Sequence, residues 1–97
     1  MQTDRAPKDS PWGRVDCATH VADGIWSVST ASHGGYHLSP SRMREFRQKF
    51  PAFTTWAGGP WFEEDCDWAA VCLAFPEYFP ADARIQATRT MARRGAG

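Results

Sequence analysis

The chain has 97 residues, and its 11 basic side chains balance its 11 acidic side chains, so the net charge is zero. This balance argues against a globally basic nucleic-acid binder and against a strongly acidic DNA mimic. The hydrophobic content of 42% and the aromatic content of 13% indicate one folded domain with a modest core.

The cysteines and the amino terminus predict a cytoplasmic protein. Cys17, Cys66 and Cys72 are odd in number and form no Cys-x-x-Cys pair, which is typical of reduced thiols and not of a disulfide framework. The first residues are polar and lack the apolar stretch of a signal peptide. No apolar run approaches the ~20 residues that a membrane span needs.

The first third of the sequence predicts a lead-in followed by a β-hairpin. Residues 1–11 contain two prolines and no periodicity, so we expect them to be flexible. Alternation over residues 12–20 predicts a strand, and residues 22–24 carry a hairpin-turn signal. The β-branched and aromatic residues at 25–30 predict the returning strand.

The strand predicted at 25–30 has two different sides. We expect the side with Trp26, Val28 and Thr30 to face the core, because the other side carries two serines. A glycine pair at 34–35 then interrupts the pattern, and residues 36–38 form either a third short strand or a loop.

Proline residues mark the ends of the predicted helices. Ser39-Pro40 predicts an N-terminal cap and a first helical residue, and Pro51 predicts the end of that helix. Pro60 predicts the start of a second helix over 61–75. Because the later half of this segment is nearly all apolar, we expect it to be the centre of the core.

A third helix is predicted over residues 81–94, with a weak apolar face of Ile85, Thr88 and Met91. Residues 93–97 are expected to be frayed. The sequence therefore predicts one α+β domain over residues 12–92. It would have a two- or three-stranded antiparallel sheet packed against two or three helices.

His33 stands beside a glycine pair, and imidazole groups bind metals and move protons near neutral pH. The simpler interpretation is structural: Gly34 and Gly35 form a tight turn, and His33 is hydrogen-bonded within it. His37 lies in a strand-like segment, where we expect it to point to solvent.

Carboxylates cluster where the second helix is predicted to begin. Their simplest explanation is the favourable interaction of negative charge with a helix N-terminus. Divalent cations also bind carboxylate oxygens, which leaves a metal site as an alternative. We expect the flanking Trp61 and Trp68 to face the core. The clustered residues are Glu63, Glu64, Asp65 and Asp67.

Short motifs spread over residues 11–80 resemble an uncharacterised domain family that is found in bacteria and in their plasmids and phages. The resemblance implies no established activity. It does imply a mobile-element context, in which small proteins often block host defences such as restriction or CRISPR interference. The most specific motifs are Ser29-Thr30-Ala31-Ser32-His33-Gly34-Gly35 and Trp61-Phe62-Glu63-Glu64-Asp65.

The leading hypothesis is a non-enzymatic protein that binds a host protein complex and occludes a site on it, as an anti-CRISPR does. It assigns no catalytic residue, no metal and no cofactor, and it gives a structural role to His33, Gly34, Gly35, Trp61 and Trp68. Aromatic and arginine side chains commonly anchor protein interfaces. The candidate partner-binding residues are Glu63, Glu64, Asp65, Asp67, Trp56, Arg42, Arg44 and Arg47.

Two alternatives stay open. The first is a small metal-dependent hydrolase that uses His33 with Glu63, Glu64 and Asp65. The second is an accessory protein that binds nucleic acid through the arginines at 42–47 and those of the carboxy-terminal helix, with a strong salt dependence.

Overall fold

The computed structural model describes residues 5–55, 57–65 and 67–96. A four-stranded antiparallel meander, with two helices packed on one of its faces and a third helix packed on the second, forms the body of the molecule, and a two-stranded hairpin precedes it. The hairpin strands are β1 (Asp9–Ser10) and β2 (Gly13–Arg14). The strands of the larger sheet are, in spatial order, β3 (Cys17–Ala22), β4 (Ile25–Ser29), β5 (Gly34–Leu38) and β6 (Trp61–Glu63). The helices are α1 (Pro40–Lys49), α2 (Trp68–Ala74) and α3 (Ala81–Ala96), and a 3₁₀ turn at Pro76–Tyr78 joins the last two.

The α+β prediction is confirmed, and so is the hairpin turn between β3 and β4, where Gly24 has a φ of 78°. The described part of the chain contains no helix that is both long and apolar enough to cross a membrane. The predicted flexibility of both ends and the domain bounds stay predictions.

The inner face of the sheet carries the core. Ile25 lies opposite Leu38, and Tyr36 lies opposite Phe62. The side chains of Ile25, Leu38 and Phe62 are at most 1% exposed and pack against α1 and α2. The expectation that Trp26, Val28 and Thr30 face this core is therefore wrong for Trp26 and Thr30; Val28 is buried at 3% exposed, but on the opposite face of β4 from Ile25. Apolar residues of the neighbouring strands decide which face of a sheet is covered, and they lie on the Ile25 side.

Helix α1 begins and ends where its sequence predicts. The Ser39 hydroxyl accepts a hydrogen bond from the Arg42 amide, and Pro40 is the first helical residue. Met43 and Phe46 are buried against the sheet, and Pro51 follows the last turn.

The helix predicted over 61–75 is only partly correct. Residues 68–74 form α2, and its apolar run is buried at the centre of the molecule, as expected. Residues 61–63 instead form β6, the fourth strand. A helix there would remove Phe62, which is fully buried opposite Tyr36, from the inner face of the sheet.

Helix α3 packs on α2 through small side chains. Ala87 is fully buried against Ala69 and Cys72, and Met91 is half-buried beside them. Ile85 is 54% exposed, so the predicted apolar face of α3 is wrong except for Met91. Alanines let two helices approach closely, and a pattern search for large apolar residues misses such a contact.

Candidate binding surface

Four aromatic side chains form one row across the outer face of the sheet, the face opposite to the helices. The strand register places His20 opposite Trp26, Trp26 opposite His37, and His37 opposite Trp61. Directly opposed residues of antiparallel strands project from the same face, so these side chains are neighbours. We call these four residues the outer row.

The outer row consists of two pairs of rings that pack against each other at a tilt. The ring centroids of His20 and Trp26 are 4.5 Å apart, and those of His37 and Trp61 are also 4.5 Å apart. Trp12, in the turn between β1 and β2, meets Trp61 edge-on at 5.8 Å. His37 lies on the outer face of the sheet, on the solvent side as expected, and these contacts leave it half-buried. The row presents a broad and largely pre-formed aromatic surface.

Trp12 reaches this surface because Gly35 has no side chain. A Cβ atom on Gly35 would lie 2.7 Å from the Trp12 ring and 2.2 Å from the Phe62 carbonyl oxygen. The Ser10 hydroxyl fixes the turn that carries Trp12, since it accepts from the Trp12 amide and donates to the Gly13 carbonyl. Gly34 and Gly35 lie within β5 and lack positive φ, so the prediction that they form a turn is wrong.

A cleft of about 440 Å³ runs from the outer row to the N-terminus of α1. Trp26 and His37 line it from the sheet, and Ser39 and Arg42 line it from the start of the helix. Arg5 and Asp23 also contribute to its walls, so the cleft carries both charges. It adds a polar recess to a mainly aromatic surface.

The predicted acidic cluster divides between two places. Glu63 is half-buried on the outer face and accepts a hydrogen bond from the Asp65 amide at 3.0 Å. Glu64 and Asp65 are exposed just after β6, and the Glu64 amide donates to the Gly34 carbonyl. Asp67 is fully buried where α2 begins. The expectation that Glu63, Glu64 and Asp65 occupy a helical first turn is wrong, because the segment that holds them is an edge strand and its exit.

His33 lies in the turn between β4 and β5, and its side chain is exposed. The Thr30 hydroxyl accepts from the amides of Ser32 and His33 and donates to the His33 carbonyl, so the backbone of His33 is hydrogen-bonded as expected. In the described ranges, no three His, Cys, Asp or Glu side chains lie close enough together to hold a metal ion. The hydrolase hypothesis therefore lacks an assembled ligand set among those residues.

The family DUF7007, described as a domain of unknown function, matches residues 5–95. The chain belongs to this family. The resemblance to an uncharacterised family is thereby confirmed, whereas the description of DUF7007 names neither a host nor an activity. No curated protein and no solved structure matches the chain.

Arg42 of this DUF7007 domain is held in place by contacts within the fold. Its guanidinium donates to the Asp23 carbonyl, the Glu45 carboxylate and the Tyr78 hydroxyl, and it lies 5.1 Å from the Phe75 ring centroid. Burial acts to lower the pKa of Arg42, but the hydrogen bonds to Tyr78 and Glu45 outweigh it and raise that pKa. Arg44 donates a hydrogen bond to the Ser41 hydroxyl one turn away, and both Arg44 and Arg47 are exposed. The three arginines therefore do not form one equivalent basic patch.

Replacing Arg42 with alanine should destabilise the DUF7007 domain by about 2 kcal/mol, since it removes charge-assisted hydrogen bonds that join three elements. The same change at exposed Arg44 should cost less than about 0.5 kcal/mol. Urea denaturation followed by tryptophan fluorescence compares the two variants. Equal urea midpoints for the two variants would show that the hydrogen bonds of Arg42 do not stabilise the fold.

Sequence reasoning misplaced Trp61 and missed His20 and Trp26. Trp61 was expected in the core and lies on the outer face, whereas Trp68 is half-buried against the Ala69 and Cys72 cluster. His20 and Trp26 were not predicted as site residues. Their signal is the alternation of β3 and β4, which places His20 and Trp26 together once the hairpin register is known. The prediction for Trp56 lies outside the described residues.

Proposed function

We propose that this DUF7007 domain is a non-enzymatic binding protein whose outer sheet face docks on a basic surface of another protein. The outer row carries the proposal. Helices α1 and α2 pack on the other face of the sheet, and tryptophans that are neither fully buried nor fully exposed are the side chains that most often anchor protein interfaces.

The charge beside the outer row defines the chemistry of the partner. Glu63 is on the same face as Trp61, and Glu64 and Asp65 follow at the exit of the same strand. Negative charge next to an aromatic surface favours lysine and arginine side chains on the partner. This arrangement supports the idea that acidic residues guide the encounter and that tryptophans supply the buried contact.

Two observations favour a protein over a single-stranded nucleic acid. Bases bind proteins by stacking on open aromatic ring faces. In the outer row His20 packs against Trp26 with the ring planes tilted by 30°, and His37 packs against Trp61 with a tilt of 48°, so part of each ring face is already covered. The acidic residues after Trp61 would also repel phosphate groups.

The surface also favours one class of partner. A basic groove that normally holds nucleic acid fits the acidic and aromatic surface, and such grooves occur in bacterial defence complexes, including CRISPR effectors. The resemblance to a family of bacterial, plasmid and phage proteins favours this class of target. The domain would act in the host cytoplasm by occluding that groove.

The test compares two double charge reversals. Glu64→Lys with Asp65→Lys changes the charge beside the outer row. Glu77→Lys with Asp82→Lys makes the same change at two exposed positions, Glu77 in the 3₁₀ turn and Asp82 in the first turn of α3. Proteins from a nuclease-treated bacterial lysate are captured on the wild-type domain and identified, and the affinity of the main captured protein is then measured for each variant.

We expect the first variant to weaken binding at least about tenfold and the control to leave it unchanged, with similar melting temperatures. Trp61→Ala should weaken binding further. Equal affinities for the two double variants, or binding of a fluorescent single-stranded oligonucleotide in place of any protein, would contradict the proposal.

A further inference from the structure

The two edges of the four-stranded sheet differ in how well they are protected against pairing with a strand of another chain. The β6 edge is three residues long, carries Glu63 and leads into two more carboxylates. The β3 edge is six residues long, Cys17–Ala22, and holds no charged residue apart from a titratable histidine and no proline. Natural proteins shield edge strands with short length, charge or proline, because exposed edges pair with other chains. By these criteria β6 is shielded and β3 is not.

The unshielded part of β3 is regular. Its residues from Cys17 to His20 pair one by one with β4, and a register shift follows between His20 and Ala22. No strand in the described ranges pairs with the outer edge of β3. Cys17 and Thr19 are exposed, Ala18 is small, and His20 packs against Trp26 on the outer face, so the backbone edge of these four residues can accept another strand.

We propose that β3 pairs antiparallel with β3 of a second copy of this chain, with Thr19 opposite Thr19 and Ala18 opposite His20, and thereby forms an eight-stranded sheet across a dimer. An antiparallel pair of identical strands has a twofold axis, so this edge is its own complement. Like charges opposite each other destabilise such pairs, and β3 carries no lysine, arginine or carboxylate that would do so.

The dimer has a consequence for the outer face. His20 lies on β3 at one end of the outer row, so the rows of the two copies would meet across the twofold axis. Two linked binding surfaces bind a repetitive or symmetric partner more tightly than one. The dimer itself does not depend on what the outer row binds.

The first test is the mass in solution. Light scattering after gel filtration, with a reducing agent present, should give about twice the chain mass of 10.9 kDa at high protein concentration. Thr19→Lys places two ammonium groups near the twofold axis and should give the monomer mass. Gln86→Lys adds the same charge on exposed α3 and should leave the dimer intact.

A wild-type monomer at every concentration would overturn the proposal, and so would a dimer that Thr19→Lys leaves intact. A dimer that appears only without the reducing agent would also overturn it, since Cys17 would then form a disulfide instead of a strand pair. Failure of these tests leaves the proposed partner binding unaffected.

A second measurement covers the case in which Thr19→Lys does not fold. A spin label on exposed Cys17, with Cys66 replaced by serine and Cys72 shielded by burial, should show dipolar coupling between two copies. Dilution with unlabelled protein should remove the coupling. Absence of coupling in a folded, labelled protein would overturn the β3 pairing.

Discussion

Replacing Gly35 with alanine is expected to lower the stability of the domain by about 3 kcal/mol, at the upper end of the usual cost of overpacking. The new methyl group would lie 2.2 Å from the Phe62 carbonyl oxygen and 2.7 Å from the Trp12 ring. A side chain can rotate away from such a contact, but the Phe62 carbonyl is part of β6 and moves only with the strand. The fourth strand and Trp12 would both have to shift.

Thermal denaturation followed by circular dichroism measures the effect, and a loss of this size should lower Tm by more than about 10 °C. Gly34→Ala is the matched control. Its Cβ would lie 2.8 Å from a Glu64 carboxylate oxygen, at the end of a flexible side chain, and 2.9 Å from the Val28 carbonyl. We expect the control to lose clearly less. A Gly34→Ala protein that melts at or below Gly35→Ala would show that the approach of Phe62 and Trp12 is not what requires glycine at position 35.

Replacing Phe62 with alanine should cost about 3–5 kcal/mol, the range for truncating a buried aromatic side chain. Phe62 is fully buried, and its ring centroid lies 4.9 Å from that of Phe46 and 6.3 Å from that of Phe53. Truncation would leave a cavity between the sheet and α1. The free energy of unfolding of a small domain is typically about 5–15 kcal/mol. At the lower end of that range, this loss would leave much of the variant unfolded.

Equilibrium unfolding in urea gives the free energy of unfolding for this variant. Ile85→Ala is the control, because it truncates a large apolar side chain that is 54% exposed and should cost less than about 0.5 kcal/mol. Similar losses of stability for the two variants would mean that Phe62 does not lie in the core. The assignment of residues 61–63 to a fourth strand would then be wrong.

The binding surface depends on the same two residues that carry these predictions. Gly35 allows Trp12 to lie against the sheet, and Phe62 holds β6 in register so that Trp61 stands opposite His37. Core packing and surface geometry are therefore coupled in this domain. A variant such as Trp61→Ala, on the outer face, separates the two, since it should weaken binding more than folding.

The sequence predictions that are confirmed depend on local chemistry. Ser39-Pro40 and Pro51 delimit α1 because a cap hydroxyl, a fixed φ and a missing amide act within a few residues. The hairpin turn at Gly24 follows from the positive φ that glycine tolerates. The apolar run of α2 is buried because nothing polar interrupts it.

The candidate site was much harder to predict. Glu63 and its neighbours appeared to be a helical first turn because Pro60 precedes them and an apolar helix follows. Three residues are too few for an alternation pattern to outweigh that signal. In the sequence Arg42 resembles its neighbours Arg44 and Arg47. Its hydrogen bonds to Asp23 and Tyr78, which lie 19 and 36 positions away in the chain, distinguish it.

By itself the sequence determined the α+β class, the limits of α1, the β3–β4 turn and the buried apolar segment of α2. Each of these depends on interactions between residues that are close in the chain. The tertiary structure alone decided that residues 61–63 join the sheet and which face of the sheet is covered. It also decided that His20, Trp26, His37 and Trp61 form one row. Those outcomes depend on strand register and on long-range burial, where residues distant in sequence compete for the same core.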